Sequence, residues 1–94
     1  MDILQIDSKD KGKFYIEEDG EIVGQMTYTW SDHKMIIEHT EVGASLAGKG
    51  AGKQFVQKAV DLARENNFKI IPVCPFAKSV FDKTEAIQDV LFKI

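Results

Sequence analysis

The sequence predicts an α+β fold in which an antiparallel β-meander is followed by one βαβ unit and a C-terminal helix. Three observations lead to this prediction. Short strand-like segments separated by turn signals fill residues 1–42, a glycine-rich run follows at 43–52, and a helical pattern with a short apolar strand comes next. Because a strand–helix–strand succession favours parallel pairing, the strand after the helix is expected beside the one before the glycines.

The first part of the chain indicates a meander of strands. "FYIEE" and "EIVGQMTYTW" flank Asp19-Gly20, a pair that supplies the positive φ angles of a tight primed hairpin turn. "SDHK" is a second turn signal, and "KMIIEHTEV", residues 34–42, is the third strand. The opening "ILQI" is expected to add a short edge strand.

The second part of the chain changes to helical periodicity. Residues 51–67 place five apolar side chains on one stripe: Phe55, Val56, Ala59, Val60 and Ala63. Asn66-Asn67 is a plausible left-handed end of this helix. "KIIPV", residues 69–73, is the next strand, Pro75 opens a helix through residue 83, and the tail is expected to form one or two further turns.

Composition restricts the classes of partner. With 94 residues, the chain is expected to form a single domain, residues 1–94. The net charge of −3 argues against duplex nucleic acid as the main partner. No apolar run reaches the length of a membrane span, no signal peptide is recognisable, and Cys74 is the only cysteine, so the expected location is the cytoplasm.

The run "GASLAGKGAGK", residues 43–53, indicates phosphate binding. A nucleotide P-loop would need Ser or Thr where this chain has Gly50. A plain strand-to-helix turn needs only one or two glycines, whereas glycines at 48, 50 and 52 suggest backbone lying bare against something. The favoured interpretation is a pyrophosphate held by the N–H groups at the start of a helix.

The motifs "GKGAGK" and "CPFAKSVFDK" resemble the GNAT superfamily of N-acetyltransferases, in particular a small branch marked by "H-T…G-K-G" and "C-P-F". Gly50-Ala51-Gly52 match the end of the usual Q/R-x-x-G-x-G/A motif, although Ala47 replaces its first residue. The resemblance covers roughly residues 10–92. It implies a GNAT-like fold with splayed parallel strands, acetyl-CoA as co-substrate without a metal, and transfer of acetyl to an amine.

The resemblance also implies the residues that bind coenzyme A. They come from the strand end, the glycine run and the second motif: Val42, Gly48, Lys49, Gly50, Ala51, Gly52, Lys53, Phe76 and Lys78. Lys49 and Lys53 could equally be solvated, and the residue types of Phe76 and Phe81 favour the core over contact with the cofactor.

Cys74 and His39 are the predicted catalytic residues. Phe81 stands where relatives commonly have a tyrosine acid, and it has no hydroxyl. Cys74 precedes Pro75, so its sulfur would lie at the positive end of a helix, which lowers a thiol pKa. The thiol would either attack the thioester or give its proton to coenzyme A. His39 is expected to face Cys74 as a base, with Glu38 and Glu41 as substitutes.

Two functions remain open on the sequence. The first is a small N-acetyltransferase acting on a small amine or a protein lysine. The second is a non-catalytic module of the same fold that binds coenzyme A or a partner protein. The tight turn at Asp19-Gly20 leaves no room for acceptor-walling helices within the meander, which favours an open acceptor surface.

Overall fold

The computed structural model describes residues 2–93, which form one five-stranded sheet with helices packed on it. The sheet order follows the chain order. The strands are β1 (Leu4–Asp7), β2 (Lys11–Glu18), β3 (Glu21–Ser31), β4 (Lys34–Val42) and β5 (Lys69–Pro72). The helices are α1 (Ala51–Asn66) and α2 (Pro75–Lys83), with short 3₁₀ helices at Ala44–Leu46 and Glu85–Val90.

The predicted meander and its turns are confirmed. β1 to β4 pair antiparallel in succession, and β4 pairs parallel with β5. Asp19 and Gly20 have φ angles of 52° and 80°, as a primed hairpin turn requires. Asn67 ends α1 with φ 56°, the predicted left-handed stop. The edge strand β1 lies one residue later than expected, and β2 begins three residues earlier, at Lys11.

All buried strand residues lie on one face of the sheet. The register pairs Phe14 with Met26, Tyr28 with Ile37, and Met35 with Ile70, and all six side chains are buried. The core-facing stripe of α1, together with Ala77 and Phe81 of α2, packs in the same cluster. In the described part of the chain, the opposite face of the sheet contributes no buried residue, so it is open.

A β-bulge in β4 interrupts the alternation of its side chains. β3 pairs Tyr28 with Ile37 but Thr27 with His39, so Glu38 is an extra residue in β4. Thr40 pairs with the buried Met26 and therefore shares the core face with Ile37. His39 and Glu41 consequently lie on the open face.

β4 and β5 diverge at the bulge. Their parallel pairing ends at Ile37 and Pro72, and Pro72 has no N–H to continue it. The N–H groups of Val73 and Cys74 both donate to the Ile37 carbonyl, each at 2.9 Å. Residues 38–42 of β4 therefore have no partner strand on the β5 side among the described residues, which confirms the predicted splay.

The C-terminal segment is tied to α1 and β5. Arg64 forms a bidentate ion pair with Asp89 (3.1 and 2.8 Å), and its Nη2 also donates to the Ala86 carbonyl at 2.7 Å. Beyond the 3₁₀ helix, the N–H of Phe92 donates to the Ile70 carbonyl at 2.9 Å.

Within residues 2–93, no helix is both long enough and apolar enough to cross a membrane.

Candidate functional site

Two glycines give the loop before α1 its path. Gly48 and Gly50 have φ angles of 76° and 69°, a left-handed conformation that favours glycine. A Cβ atom added at either residue would meet nothing within 4 Å. These positions therefore require glycine for their backbone conformation, and their backbone is open to a ligand. Leu46, in the preceding 3₁₀ turn, is buried and anchors the loop to the core.

The N-terminus of α1 is open. Gly50 is the N-cap residue, and none of the described side chains caps the helix. The first turn contains no acidic residue. Its N–H groups lack intrahelical partners, and the helix dipole adds positive potential there. Backbone donors at a helix N-terminus suit an anion such as phosphate.

A groove of about 470 Å³ connects this helix end to the splayed strands. The glycine run forms one wall, Thr40 and Val42 of β4 form another, and Phe76 of α2 closes the side. Val42 and Phe76 are 43% and 39% exposed, so both present apolar surface to an entering molecule. A larger groove of about 660 Å³ lies at the other end of the sheet, beside Trp30 and Asn66.

Gly52 has a different role from Gly48 and Gly50. A Cβ atom there would lie 2.6 Å from Cζ of Phe76, because the aromatic ring rests directly on the helix backbone. Two of the three alternating glycines thus leave backbone open towards the groove, while the third makes room for a side chain of α2.

The lysines predicted to bind coenzyme A are spread apart. Lys53 lines the groove. Lys49 is exposed and borders a separate depression with Glu17 and Glu18. Lys78 points to Asp82, with 3.2 Å between Nζ and Oδ2. Of the three, the structure brings only Lys53 to the groove.

Cys74 lies at the junction of the splay and α2. It is the N-cap residue of α2, Pro75 follows at the first helical position, and the cysteine is 5% exposed. Its thiol donates to Oγ1 of Thr40 across 3.5 Å. Burial raises the pKa of the Cys74 thiol, but hydrogen bonds donated to the thiolate by Thr40 and by the N–H groups of Ala77 and Phe76 outweigh burial, so the pKa lies below its usual value.

The structure does not bring His39 to Cys74. Regular alternation from buried Ile37 would direct His39 to the core face, but the bulge at Glu38 turns it to the open face. His39, Glu38 and Glu41 are all exposed. The expectation that His39 faces the thiol is therefore wrong in geometry, and Thr40 occupies that position instead. Strand periodicity could not reveal Thr40, because a bulge leaves no mark in the apolar pattern.

Comparison with known proteins identifies the family. A sequence model described as GCN5-related N-acetyl-transferase matches residues 13–90, most of the chain. The chain belongs to this family. A search of curated proteins finds no significant match.

Solved structures share the fold. The NMR structure of a GCN5-like protein from Staphylococcus aureus is 36% identical, with a TM-score of 0.76, and the match covers 99% of this chain and 89% of that one. A ribosomal-protein-alanine N-acetyltransferase from Brucella melitensis is 15% identical with a TM-score of 0.65, matching 93% of this chain and 65% of the enzyme.

A third structure contains a ligand. It is an acetyltransferase from Bacillus anthracis in complex with acetyl coenzyme A, 20% identical with a TM-score of 0.56. The match covers 71% of this chain and 40% of that protein. The GNAT fold predicted from the sequence is thus confirmed, in a chain that spans well under two thirds of this relative.

Proposed function

We propose that this protein is an acetyl-CoA-dependent N-acetyltransferase that binds the diphosphate of coenzyme A at the N-terminus of α1. The observation that carries the proposal is the uncapped start of α1, reached through two left-handed glycines and opening into the groove at the splay. The N–H groups of residues 50–53 and the ammonium of Lys53 are the proposed diphosphate ligands.

The pantetheine arm would follow the free edge of β4. Residues 38–42 carry backbone N–H and C=O groups on the β5 side that no described strand uses, and the amides of the arm can pair with them. Thr40 and Val42 line the same groove, and Thr40 contacts Cys74. This path directs the thioester towards the sulfur of Cys74. A relative with this fold is bound to acetyl coenzyme A, which supports the choice of ligand.

Cys74 is the proposed nucleophile. Its thiolate attacks the thioester carbonyl carbon, a new C–S bond forms, and the C–S bond to coenzyme A breaks. The departing thiolate takes up a proton from water. The lowered pKa of Cys74 favours this route, because the thiolate is the reactive form. If transfer is direct instead, the same thiol would donate its proton to the departing coenzyme A.

The acceptor would approach from the open face of the sheet. His39, Glu38 and Glu41 are exposed there beside the splay, so they are the proposed bases for the incoming amine. The amine attacks the acetyl carbonyl, a C–N bond forms, the C–S bond breaks, and the amine proton passes to one of these side chains. The acceptor class is a small amine or a protein lysine.

A second candidate is a module that binds coenzyme A without efficient catalysis. The open sheet face favours it: β1 and β2 are joined by residues 8–10 alone, so no segment between them can cover the acceptor side. The two candidates share the groove and differ in whether acetyl leaves coenzyme A.

Matched glycine variants test the binding site. Gly48→Ala and Gly20→Ala both place alanine at a left-handed position, φ 76° and 80°, with open space around the added methyl. Each should lose about 1 kcal/mol of stability. Only Gly48→Ala should weaken binding of coenzyme A by calorimetry, because its backbone lies in the groove. Equal affinities of the two variants for coenzyme A would refute the site. If Mg-ATP stabilises the wild type and coenzyme A does not, the glycine run is a nucleotide loop instead.

Intact mass spectrometry separates the two functions. After incubation with acetyl-CoA, the wild type should carry one acetyl group that Cys74→Ala lacks, and an added amine should remove it. An acetylated amine product without any protein adduct would indicate direct transfer. Binding of coenzyme A with neither product would establish the non-catalytic module.

A further inference from the structure

Thr40 connects the groove to the reactive thiol. Its Oγ1 is 3.5 Å from Sγ of Cys74, 34 positions away in the chain. Thr40 also lines the groove of about 470 Å³ that opens at the N-terminus of α1. The side chain is only partly buried, so one side contacts the sulfur while another meets the groove.

The placement of Thr40 depends on the bulge in β4. Met26 of β3, opposite Thr40, is fully buried, and this pairing keeps Thr40 on the core face. Thr40 also lies in the part of β4 that has left β5, so its hydroxyl meets the end of the splay, where Cys74 begins α2. A β-branched residue has few χ1 rotamers, which holds the hydroxyl in a defined direction.

We propose that Thr40 is a positioning residue for acetyl transfer: its hydroxyl holds the Cys74 sulfur towards the thioester in the groove. This role rests on the proposed function. In the thiol state the sulfur donates to Oγ1, and after deprotonation the hydroxyl turns to donate to the thiolate. Loss of the proton thus reverses the hydrogen bond without moving either heavy atom, and the thiolate then forms the C–S bond described above while coenzyme A leaves.

The groups around the sulfur allow the Thr40–Cys74 hydrogen bond to be removed without changing a charge nearby. The hydrogen bonds that lower the pKa of Cys74 come from the Thr40 side chain, from the N–H groups of Ala77 and Phe76, and from the backbone of Thr40. No described charged side chain is among these contributions. On the elements packed nearby, His39, Glu38 and Glu41 lie on the open face, and Lys78 pairs with Asp82. Removing the hydroxyl therefore changes one uncharged donor.

Thr40→Val and Thr40→Ser test the proposal. Valine keeps the shape and removes the hydroxyl, while serine keeps the hydroxyl. The chain has one cysteine, so the titration is followed as the difference in absorbance at 240 nm between each protein and Cys74→Ala. Below about pH 9, where tyrosine is not yet ionised, this difference reports the Cys74 thiolate alone. Thr40→Val should move this titration up by about one pH unit and slow acetyl-adduct formation at neutral pH by about tenfold. Thr40→Ser should match the wild type in both measurements.

Three results would overturn either the role of the Thr40 hydroxyl or the covalent route through Cys74. A Thr40→Val protein that titrates like the wild type, or a Thr40→Ser protein that shifts equally far, overturns the role of the hydroxyl. Thr40→Ala repeats the test without the valine methyl groups if Thr40→Val does not fold. If the Cys74 titration moves up in Thr40→Val but no protein forms an adduct, the hydrogen bond between Thr40 and the sulfur is supported. Only the covalent route of the proposed function is then overturned.

Discussion

The Phe76 ring lies over Gly52 so closely that a single methyl group there would reach Cζ at 2.6 Å. The ring is 39% exposed and lines the groove, so the contact joins helix packing to the shape of the site. Thr40 and His39 are neighbours in the chain, but their side chains lie on opposite faces of the sheet. Thr40 contacts Cys74, and His39 faces solvent.

Gly52→Ala is predicted to weaken coenzyme A binding without unfolding the protein. Alanine gains up to ~1 kcal/mol of helix propensity, but its methyl group pushes the Phe76 ring, the free end of a movable side chain, towards the groove. We expect about a tenfold rise in Kd by calorimetry. The double variant with Phe76→Ala removes the obstacle and should bind as tightly as Phe76→Ala alone. An unchanged Kd in Gly52→Ala would show that the ring does not bound the ligand.

At the scale of elements, two features form the site: the bulge of β4 and the early end of β5. The extra residue Glu38 lies directly beyond the last β4–β5 pair, Ile37 with Pro72, so β4 bends where its neighbour ends. The starts of α1 and α2 then meet at the resulting opening. The C-terminal 3₁₀ helix is tied to the other end of α1 by the ion pair between Arg64 and Asp89.

Asp89→Asn is predicted to destabilise the protein at neutral pH but not in acid. Arg64 holds the pKa of Asp89 below its ordinary value, so this carboxylate contributes stability above its unfolded pKa of about 3.9. That contribution is lost as the pH falls through the lowered folded value. Urea midpoints of variant and wild type should differ at pH 7 and converge once the pH lies below the lowered folded pKa of Asp89. High salt should reduce the gap at pH 7, and a gap that persists in acid would contradict the ion-pair explanation.

At the scale of the molecule, one face of the sheet is covered and the other is open. α1, α2 and the C-terminal 3₁₀ helix contribute to one core, while exposed Leu4 and Ile6 of β1 lie on the uncovered face. His39 and Glu41 are on this same face. No described helix covers this face, which carries a depression of about 340 Å³ beside Ile6, Thr27 and Glu38.

A broad acceptor range is therefore predicted. Because no described helix walls this face, polyamines and lysine peptides should react with kcat/KM values within about tenfold of each other, a difference of ~1.4 kcal/mol. Release of coenzyme A, followed with a thiol reagent, measures the rates, and acetyl-CoA hydrolysis without amine is the background. A preference of about a hundredfold or more for one small amine would indicate a formed acceptor pocket.

Much of the fold was predictable, because it depends on local patterns. Asp19-Gly20, the apolar stripe of α1, Asn67 and Pro75 each act within a few residues, and each has its predicted role in the structure. That backbone is exposed before α1 was also predictable, since alternating glycines ahead of an amphipathic helix suggest bare main chain, and Gly48 and Gly50 have this role. The positions of the lysine side chains were less predictable, because the direction of a long exposed side chain depends on partners such as Asp82.

The amino-acid sequence by itself determined the order of strands and helices, the parallel pairing of β4 with β5, and the glycine-lined start of α1. These follow from backbone preferences and short-range periodicity. Only the tertiary structure decided that Thr40 rather than His39 meets Cys74, and that Gly52 accommodates Phe76. The physical reason is that a bulge and an interhelical contact arise from pairing between distant segments, whose register is not encoded in either segment alone.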